Sequence, residues 1–260
     1  MTARSRKKRE AFRATKEHDM SSPTRAMIMA AGLGTRMRPL TNDRPKPLVS
    51  VGGKALIDHA IDRLVAAGVT TIVVNLHYKA EMVKEHLAGR KDVEILYSDE
   101  SDGLLGTGGG VAKALACFGD ESFFIHNSDT IWVEGYGAAL ERMKARWDPE
   151  TMDALLLMAP MVTSMGYEGT GDFMMDSDGR LSRVPPGRVS PFAYPGVQIV
   201  HPRLFDNAPS GGFSTNILWD RAIEKERLFG VRLDGVWIHV GTPQAVAEAE
   251  EFLADLAPAA

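Results

Sequence analysis

Arg25-Ala26-Met27-Ile28-Met29-Ala30-Ala31-Gly32-Leu33-Gly34-Thr35-Arg36-Met37-Arg38-Pro39-Leu40-Thr41 is the stretch on which the fold turns. Ala26 to Ala30 is a short apolar run without alternation, the pattern of a strand covered on both faces. The run breaks into Gly32 and Gly34, where small residues let the backbone approach an anion and present N–H groups to it. Arg36, Arg38 and Lys46 add charge-assisted donors to the same anion. The loop is not a dinucleotide fingerprint, because Met37 stands at the third glycine position, and it lacks the Gly-Lys-Ser/Thr of a P-loop. A lone Gly-x-Gly is also an ordinary strand exit. The cations that follow, in a segment too rich in proline to be helical, favour a phosphate cradle.

Outward from this stretch, apolar runs alternate with helical periodicity. Leu56, Ile57, Ala60, Ile61, Leu64 and Val65 recur at helical spacing, with Gly68 placed to end the helix. Thr70 to Leu76 reads as a strand, Ala80 to Leu87 as a helix, Val93 to Tyr97 as a strand, Val111 to Phe118 as a helix and Ser122 to Asn127 as a fourth strand. This order predicts an α/β fold, a Rossmann-like, doubly wound, mostly parallel mixed sheet. The second half reads differently: Phe173 to Asp176 and Leu181 to Val184 form a hairpin whose Asp178-Gly179 suits a tight primed turn, a small lobe on the substrate side. Pro191 to Val200 is a strand, Ser214 to Glu226 a helix, Leu228 to Leu233 and Val236 to Val240 two strands, and Pro243 to Leu256 a closing helix.

Composition narrows the class. The 260 residues are 44% apolar and 25% charged, ordinary for a globular chain with one large core. The longest apolar run, Ala154 to Val162, is far short of the ~18 residues of a membrane span. The single cysteine, Cys117, cannot form an internal disulfide, and its apolar helical neighbours suggest buried packing. A soluble, cytoplasmic protein with no membrane partner is expected. The first nineteen residues carry seven basic and three acidic side chains, a local +4, so the remainder holds −8 against a total of −4. Residues 1–24 therefore read as a basic, disordered arm, either a solvated tail or an over-extended reading frame ahead of Met20. The acidic body argues against a nucleic-acid partner.

Two further clusters carry chemistry. Leu105-Gly106-Thr107-Gly108-Gly109-Gly110 leads into a helix, and consecutive glycines there imply a close backbone approach or an unusual φ. Asn127-Ser128-Asp129 falls just beyond the carboxyl end of a strand, where ligands of open α/β sheets bind. A carboxylate beside a triphosphate cradle suits magnesium, which takes one or two carboxylates plus substrate phosphates; a lone strand-end Asp also serves as a helix cap.

With Gly32 to Thr41 followed by Pro45-Lys46-Pro47-Leu48, the chain resembles the sugar-1-phosphate nucleotidyltransferases from Arg25 almost to its end. The resemblance implies the nucleotide-diphospho-sugar transferase fold over residues 25–257, with 25–150 as the nucleotide-binding half and 151–257 as the sugar-binding half. It implies a nucleoside triphosphate and a sugar 1-phosphate as substrates and magnesium as cofactor. Arg36 and Lys46 become the catalytic cations, Ala31, Gly32, Gly34 and Thr35 the phosphate loop, and Gly106, Thr107, Gly108 and Gly109 the nucleobase and ribose loop. Asn127 joins the substrate contacts and Asp129 becomes the metal ligand. The Thr-Gly-Gly-Gly form is most similar to N-acetylmuramate 1-phosphate uridylyltransferases, which implies UTP and N-acetylmuramic acid 1-phosphate.

The chain departs from the family at two places. The family's second metal aspartate is replaced in Trp237-Ile238-His239-Val240-Gly241-Thr242 by His239, and a neutral imidazole is a poor ligand for a hard ion. The family's Glu-Lys-Pro segment for the sugar phosphate is missing, with Arg183-Val184-Pro185-Pro186 near its place. Asp172, within Gly171-Asp172-Phe173, together with Tyr194 and Gly196, is then expected on the sugar side. A mannose 1-phosphate guanylyltransferase and a non-catalytic sugar-nucleotide sensor both remain open alternatives. Oligomeric state is not legible in the sequence.

Overall fold

The structure is a computed structural model that describes residues 22–256. The basic arm over the first nineteen residues lies outside the described residues. Strand β1 (Arg25–Met29) is followed by the hairpin β2 (Ser50–Val51) and β3 (Lys54–Ala55), then α1 (Leu56–Ala66), β4 (Thr71–Leu76), α2 (Ala80–Leu87), β5 (Glu94–Asp99), α3 (Gly106–Ala114) and β6 (Phe123–Asn127). Next come β7 (Thr130–Glu134), α4 (Ala139–Arg146), β8 (Ala154–Pro160), β9 (Phe173–Met175), β10 (Leu181–Arg183), β11 (Phe192–Ala193) and β12 (Val197–Val200). The chain continues through α5 (Asn216–Glu224), β13 (Leu228–Arg232), β14 (Gly235–His239) and α6 (Pro243–Leu256).

Ten strands make one sheet in the order β10-β9-β11-β8-β12-β6-β1-β4-β5, with β13 on the other edge of β8. The run β6-β1-β4-β5 is parallel, and β12 lies antiparallel between β6 and β8. Alternating side chains divide the core in two. Ala26, Ile28, Ile72, Val74, Phe124, Leu155 and Leu157 pack with α1, α2 and α4 on one face. Met27, Val73, Phe123, Ile125, Leu156 and Met158 pack with α3 and α5 on the other. The sheet is therefore doubly wound, as the strand and helix pattern predicts.

Helix α1 forms where its apolar residues share one face, and it ends where Gly68, at φ +86°, turns the chain so that Val69 donates to the Leu64 carbonyl at 3.0 Å. Outside the main sheet, β14 and β7 pair antiparallel, and Arg63 of α1 anchors them, lying 3.9 Å over Trp132 and 3.0 Å from Glu134. That anchoring fixes the segment that begins at Asp129.

Several local expectations change. β7, α4 and β8 add to the elements expected from the sequence; β8 lies inside the sheet with every residue buried, an apolar run without alternation like that of β1. The expected strand from Pro191 to Val200 is broken at Tyr194-Pro195-Gly196 into β11 and β12. The turn between β9 and β10 is not a primed two-residue turn. Only Gly179 has a positive φ, +87°, and the Asp176 carboxylate accepts from Asp178 N at 2.9 Å and Arg180 N at 2.8 Å. Cys117 is exposed rather than packed: α3 ends at Ala114, and the tighter turn Leu115–Cys117 rotates it outward while Phe118 turns in.

Candidate active site

At the carboxyl ends of β1, β4 and β6 lies a cavity of about 370 Å³. A buried polar chain holds its floor: Ala30 N donates to Asn75 Oδ1 at 2.7 Å, Asn75 Nδ2 donates to Glu100 Oε1 at 2.7 Å, and Leu105 N donates to Glu100 Oε2 at 3.1 Å. It ties the exit of β1 to the end of β4 and to the loop after β5. Neither Asn75 nor Glu100 is singled out by motif reasoning, although a polar Asn75 inside the apolar Thr71–Leu76 run is a signal that could have found it.

The glycine loop lines this cavity through Ala31, Gly32, Gly34, Thr35 and Arg36. Gly34 is left-handed at φ +63°, and a Cβ there would stand 3.1 Å from both Lys46 Cβ and Thr41 Cγ2, so neither its conformation nor its neighbours suit a side chain. Thr41 Oγ1 donates to the Gly34 carbonyl at 2.8 Å, and Met37 is buried beneath the single turn Thr35–Met37. Thr35 and Arg36 thereby face the opening. Arg38 is exposed and does not line the cavity.

Lys46 reaches across and donates its ammonium to Asp129 Oδ2, with side chains 13% and 22% exposed. Burial acts to raise the Asp129 carboxyl, but the Lys46 charge and hydrogen bond, with a smaller share from His239, hold it below the usual carboxylate range. Ser128 is buried, with its N–H on the Met29 carbonyl at 3.2 Å, which ties the segment to the exit of β1.

His239 ends β14 opposite Thr130. It does not line the cavity: its Nε2 lies 2.7 Å from where a Gly241 Cβ would stand, and Gly241 itself is on the wall. Burial, the largest influence, depresses the imidazole against the opposing pull of Asp129, with smaller contributions in the same direction from Lys46 and Arg36, so the ring is neutral near pH 7. Among the described residues no cluster of three or more His, Cys, Asp or Glu is arranged to hold a metal. The donor set therefore suits an ion that takes a carboxylate from the protein and the rest of its oxygens from phosphates.

The triple-glycine segment is corrected. It is the opening of α3, not a loop before it, and Gly106 and Thr107 line the cavity while Gly108 and Gly109 do not. What approaches these glycines is protein. A Cβ at Gly108 would lie 2.3 Å from the Phe213 ring, one at Gly109 2.4 Å from Gly211 O, and one at Gly110 2.7 Å from Glu100 Oε1. The Phe213 carbonyl also takes the N–H groups of Gly108 and Gly109, at 2.9 and 3.2 Å, so they are not free for a ligand.

A second cavity of about 280 Å³ shares Met29, Thr107 and Asn127 with the first. Asp172 and Tyr194 line it, and its wall adds Gln198, Thr215 and Trp219, which the sequence does not flag. The Asp172 carboxylate accepts from Tyr194 N at 2.7 Å and from Tyr167 OH at 3.5 Å, holding the break between β11 and β12. Gly196 lies behind the wall rather than on it. At φ +92° its missing Cβ makes room for the Asn127 amide, which would otherwise be 2.3 Å away, and its carbonyl accepts Asn127 N at 2.8 Å. The Tyr194 hydroxyl is pushed well up by burial and by Asp172, so it remains a neutral donor. The first cavity thus sets Arg36 and Lys46 beside the Asp129 carboxylate, and the adjoining one is polar with aromatic walls.

The nucleotidyl transferase family matches residues 25–168. An N-acetylmuramate alpha-1-phosphate uridylyltransferase of Caulobacter vibrioides is 48% identical over 238 residues, covering 90% of this chain and 98% of the relative. One of the same name from Neisseria meningitidis serogroup B is 34% identical, covering 87% and 96%. Mannose-1-phosphate guanylyltransferase relatives are more distant, at 28 to 32% identity over about 60% of their own length. A solved UDP-glucose pyrophosphorylase with UDP-glucose bound superposes with a TM-score of 0.75 at 16% identity, covering 90% of this chain and all of its own, a likeness of fold. Among the described residues no helix is long and apolar enough to cross a membrane.

Proposed function

The chain belongs to the nucleotidyl transferase family, and from that premise we propose that it joins UTP to N-acetylmuramate α-1-phosphate, releasing pyrophosphate. The observation that carries this reading is the pair of cavities meeting at Met29, Thr107 and Asn127, with Lys46 and Asp129 on the wall of the first. A nucleotide in the first cavity and a sugar 1-phosphate in the second would bring two phosphates together at that junction. The 48% identity to the Caulobacter vibrioides enzyme supports the choice of base and sugar.

The sugar-phosphate oxygen attacks the α-phosphorus in line, its new P–O bond forming as the bond to the β-phosphate breaks and pyrophosphate departs. Little proton transfer is required, so positioning and neutralisation of charge dominate. Arg36, at the mouth of the glycine loop, stabilises the departing pyrophosphate. Lys46 turns from Asp129 toward the transferring group. Asp129, kept ionised, is the residue that would hold magnesium, which when bound supplies Lewis-acid polarisation of phosphate oxygens. His239, neutral and behind Gly241, presents a nitrogen donor that suits a hard ion poorly, so it is not assigned as a ligand.

Lys46, Asp129 and Arg36 at one cavity favour turnover over a silent sensor. Pyrophosphate release is to be measured for UTP, GTP, CTP, dTTP and ATP against a panel of sugar 1-phosphates. UTP with N-acetylmuramate α-1-phosphate should lead the panel; a preference for GTP with mannose 1-phosphate, or no release from any pair, refutes the assignment.

A further inference from the structure

We propose that Arg183 reads a carboxylate carried by the sugar, so that the second cavity selects an acidic sugar 1-phosphate over its neutral counterpart. This rests on the sugar 1-phosphate reading above and adds the group that decides which sugar is accepted. Only Asp172 and Arg183 are charged among the residues lining this cavity. Asp172 is committed to the Tyr194 amide, which leaves Arg183 as the cation facing a substrate there.

Arg183 is built for the task. It pairs across the β9–β10 hairpin with Phe173, and its guanidinium lies 4.7 Å over that ring. Nε donates to Asp220 Oδ1 at 2.6 Å, and Nη2 donates to Asn216 Oδ1 at 2.9 Å and Asn216 O at 3.3 Å. These contacts from α5 fix the plane of the fork, while Nη1 makes no hydrogen bond among the described residues. A rigid guanidinium whose Nη1 is unused can still donate a charge-assisted hydrogen bond to a carboxylate. Asp220 is 54% exposed, so solvent weakens its claim on the charge. Ser214, Thr215 and Asn216, at the start of α5, also line the cavity, and the helix places its positive end on the same side.

The placement of the substrate agrees. Its phosphate belongs at the junction beside Asn127, and on the proposed function Arg36 and Lys46 would be engaged by the nucleotide's phosphates in the first cavity. The sugar ring then lies along Tyr194 and Trp219, whose rings are 4.9 Å apart, on the wall that Gln198 shares, its Oε1 held by Trp219 Nε1 at 3.0 Å. Arg183 stands among the lining residues beyond the junction, where a ring substituent reaches. N-acetylmuramate differs from N-acetylglucosamine by one such substituent, an O3 lactyl ether that ends in a carboxylate.

The test compares kcat/KM for the two 1-phosphates with UTP in wild type, Arg183→Met and Arg183→Lys, with thermal melts confirming the fold. A charge-assisted contact of about 1.5–3 kcal/mol corresponds to a loss of about 10- to 100-fold. That loss should fall on N-acetylmuramate 1-phosphate in Arg183→Met, chiefly in KM, with N-acetylglucosamine 1-phosphate unchanged and partial recovery in Arg183→Lys. Equal losses on both sugars, no loss on either, or a wild type that prefers the neutral sugar overturn the proposal. A wild type that turns over neither sugar with UTP refutes the function itself, and this inference with it.

Discussion

Replacing Lys46 by Met removes the ammonium from Asp129 while leaving most of the aliphatic stem in place. With the two side chains only 13% and 22% exposed, the pair is screened less than a surface ion pair. A hydrogen bond to a charged group contributes about 1.5–3 kcal/mol, and taking ~2 kcal/mol at roughly 3 °C per kcal/mol for a chain of this size lowers the melting temperature by about 6 °C. Asp129→Asn should cost a similar amount. The double variant should lose little more than either single one, giving a coupling of about 2 kcal/mol. Turnover should fall by about 10²–10³ in each single variant, because each removes a preorganised charge from the reacting phosphates. Thermal and urea unfolding of all four proteins without ligand, paired with initial rates of pyrophosphate release, checks both halves. Additive melting shifts would show that the two side chains do not share an energetic bond, and wild-type turnover in Lys46→Met would remove it from the chemistry.

Gly108→Ala places a Cβ 2.3 Å from the Phe213 ring; overpacking should cost about 1–3 kcal/mol, and Phe213→Leu in the same chain should recover part of the loss in urea midpoint, whereas a glycine serving only a ligand would show no such rescue. Asp153 is buried between Arg203 and Arg227, at 2.6 and 2.7 Å, and although burial raises its carboxyl, the two arginines hold it below the usual range. A depressed folded pKa means this stabilisation is complete above the unfolded value near ~3.9 and is lost as pH falls through the folded one. Asp153→Asn should therefore be less stable than wild type by about 2 kcal/mol at pH 7, with the gap closing in strong acid; a gap independent of pH contradicts the assignment. His239→Ala should slow turnover by less than about tenfold, under ~1.4 kcal/mol, and a loss as deep as that of Asp129→Asn would make the imidazole an equal partner at the metal.

Much of this protein is legible along the chain because burial leaves a local record. The spacing of Leu56, Ile57, Ala60, Ile61 and Leu64, ended by Gly68, marks α1; Ala80 to Leu87 and Pro243 to Leu256 fall within the observed helix bounds. The strand exit at Gly32 and Gly34 and the carboxylate after β6 likewise mark the rim of the cavity, since short-range spacing sets where each stands relative to its strand. β8 left a more ambiguous record, because an apolar run without alternation suits a strand covered on both faces and a buried helix segment alike. The role of Gly108 and Gly109 was hidden for another reason: tight approach demands glycine whether the visitor is a ligand or Phe213, and only the packed chain shows which. Asn75 and Glu100 become a floor only when two strand ends meet. Lys46 meets Asp129 across 83 residues and Thr107 meets the Thr215 amide across 108. Pattern within an element reports which face is buried, but partners that far apart are chosen by how the elements pack, so tertiary structure alone joined the motifs into one site.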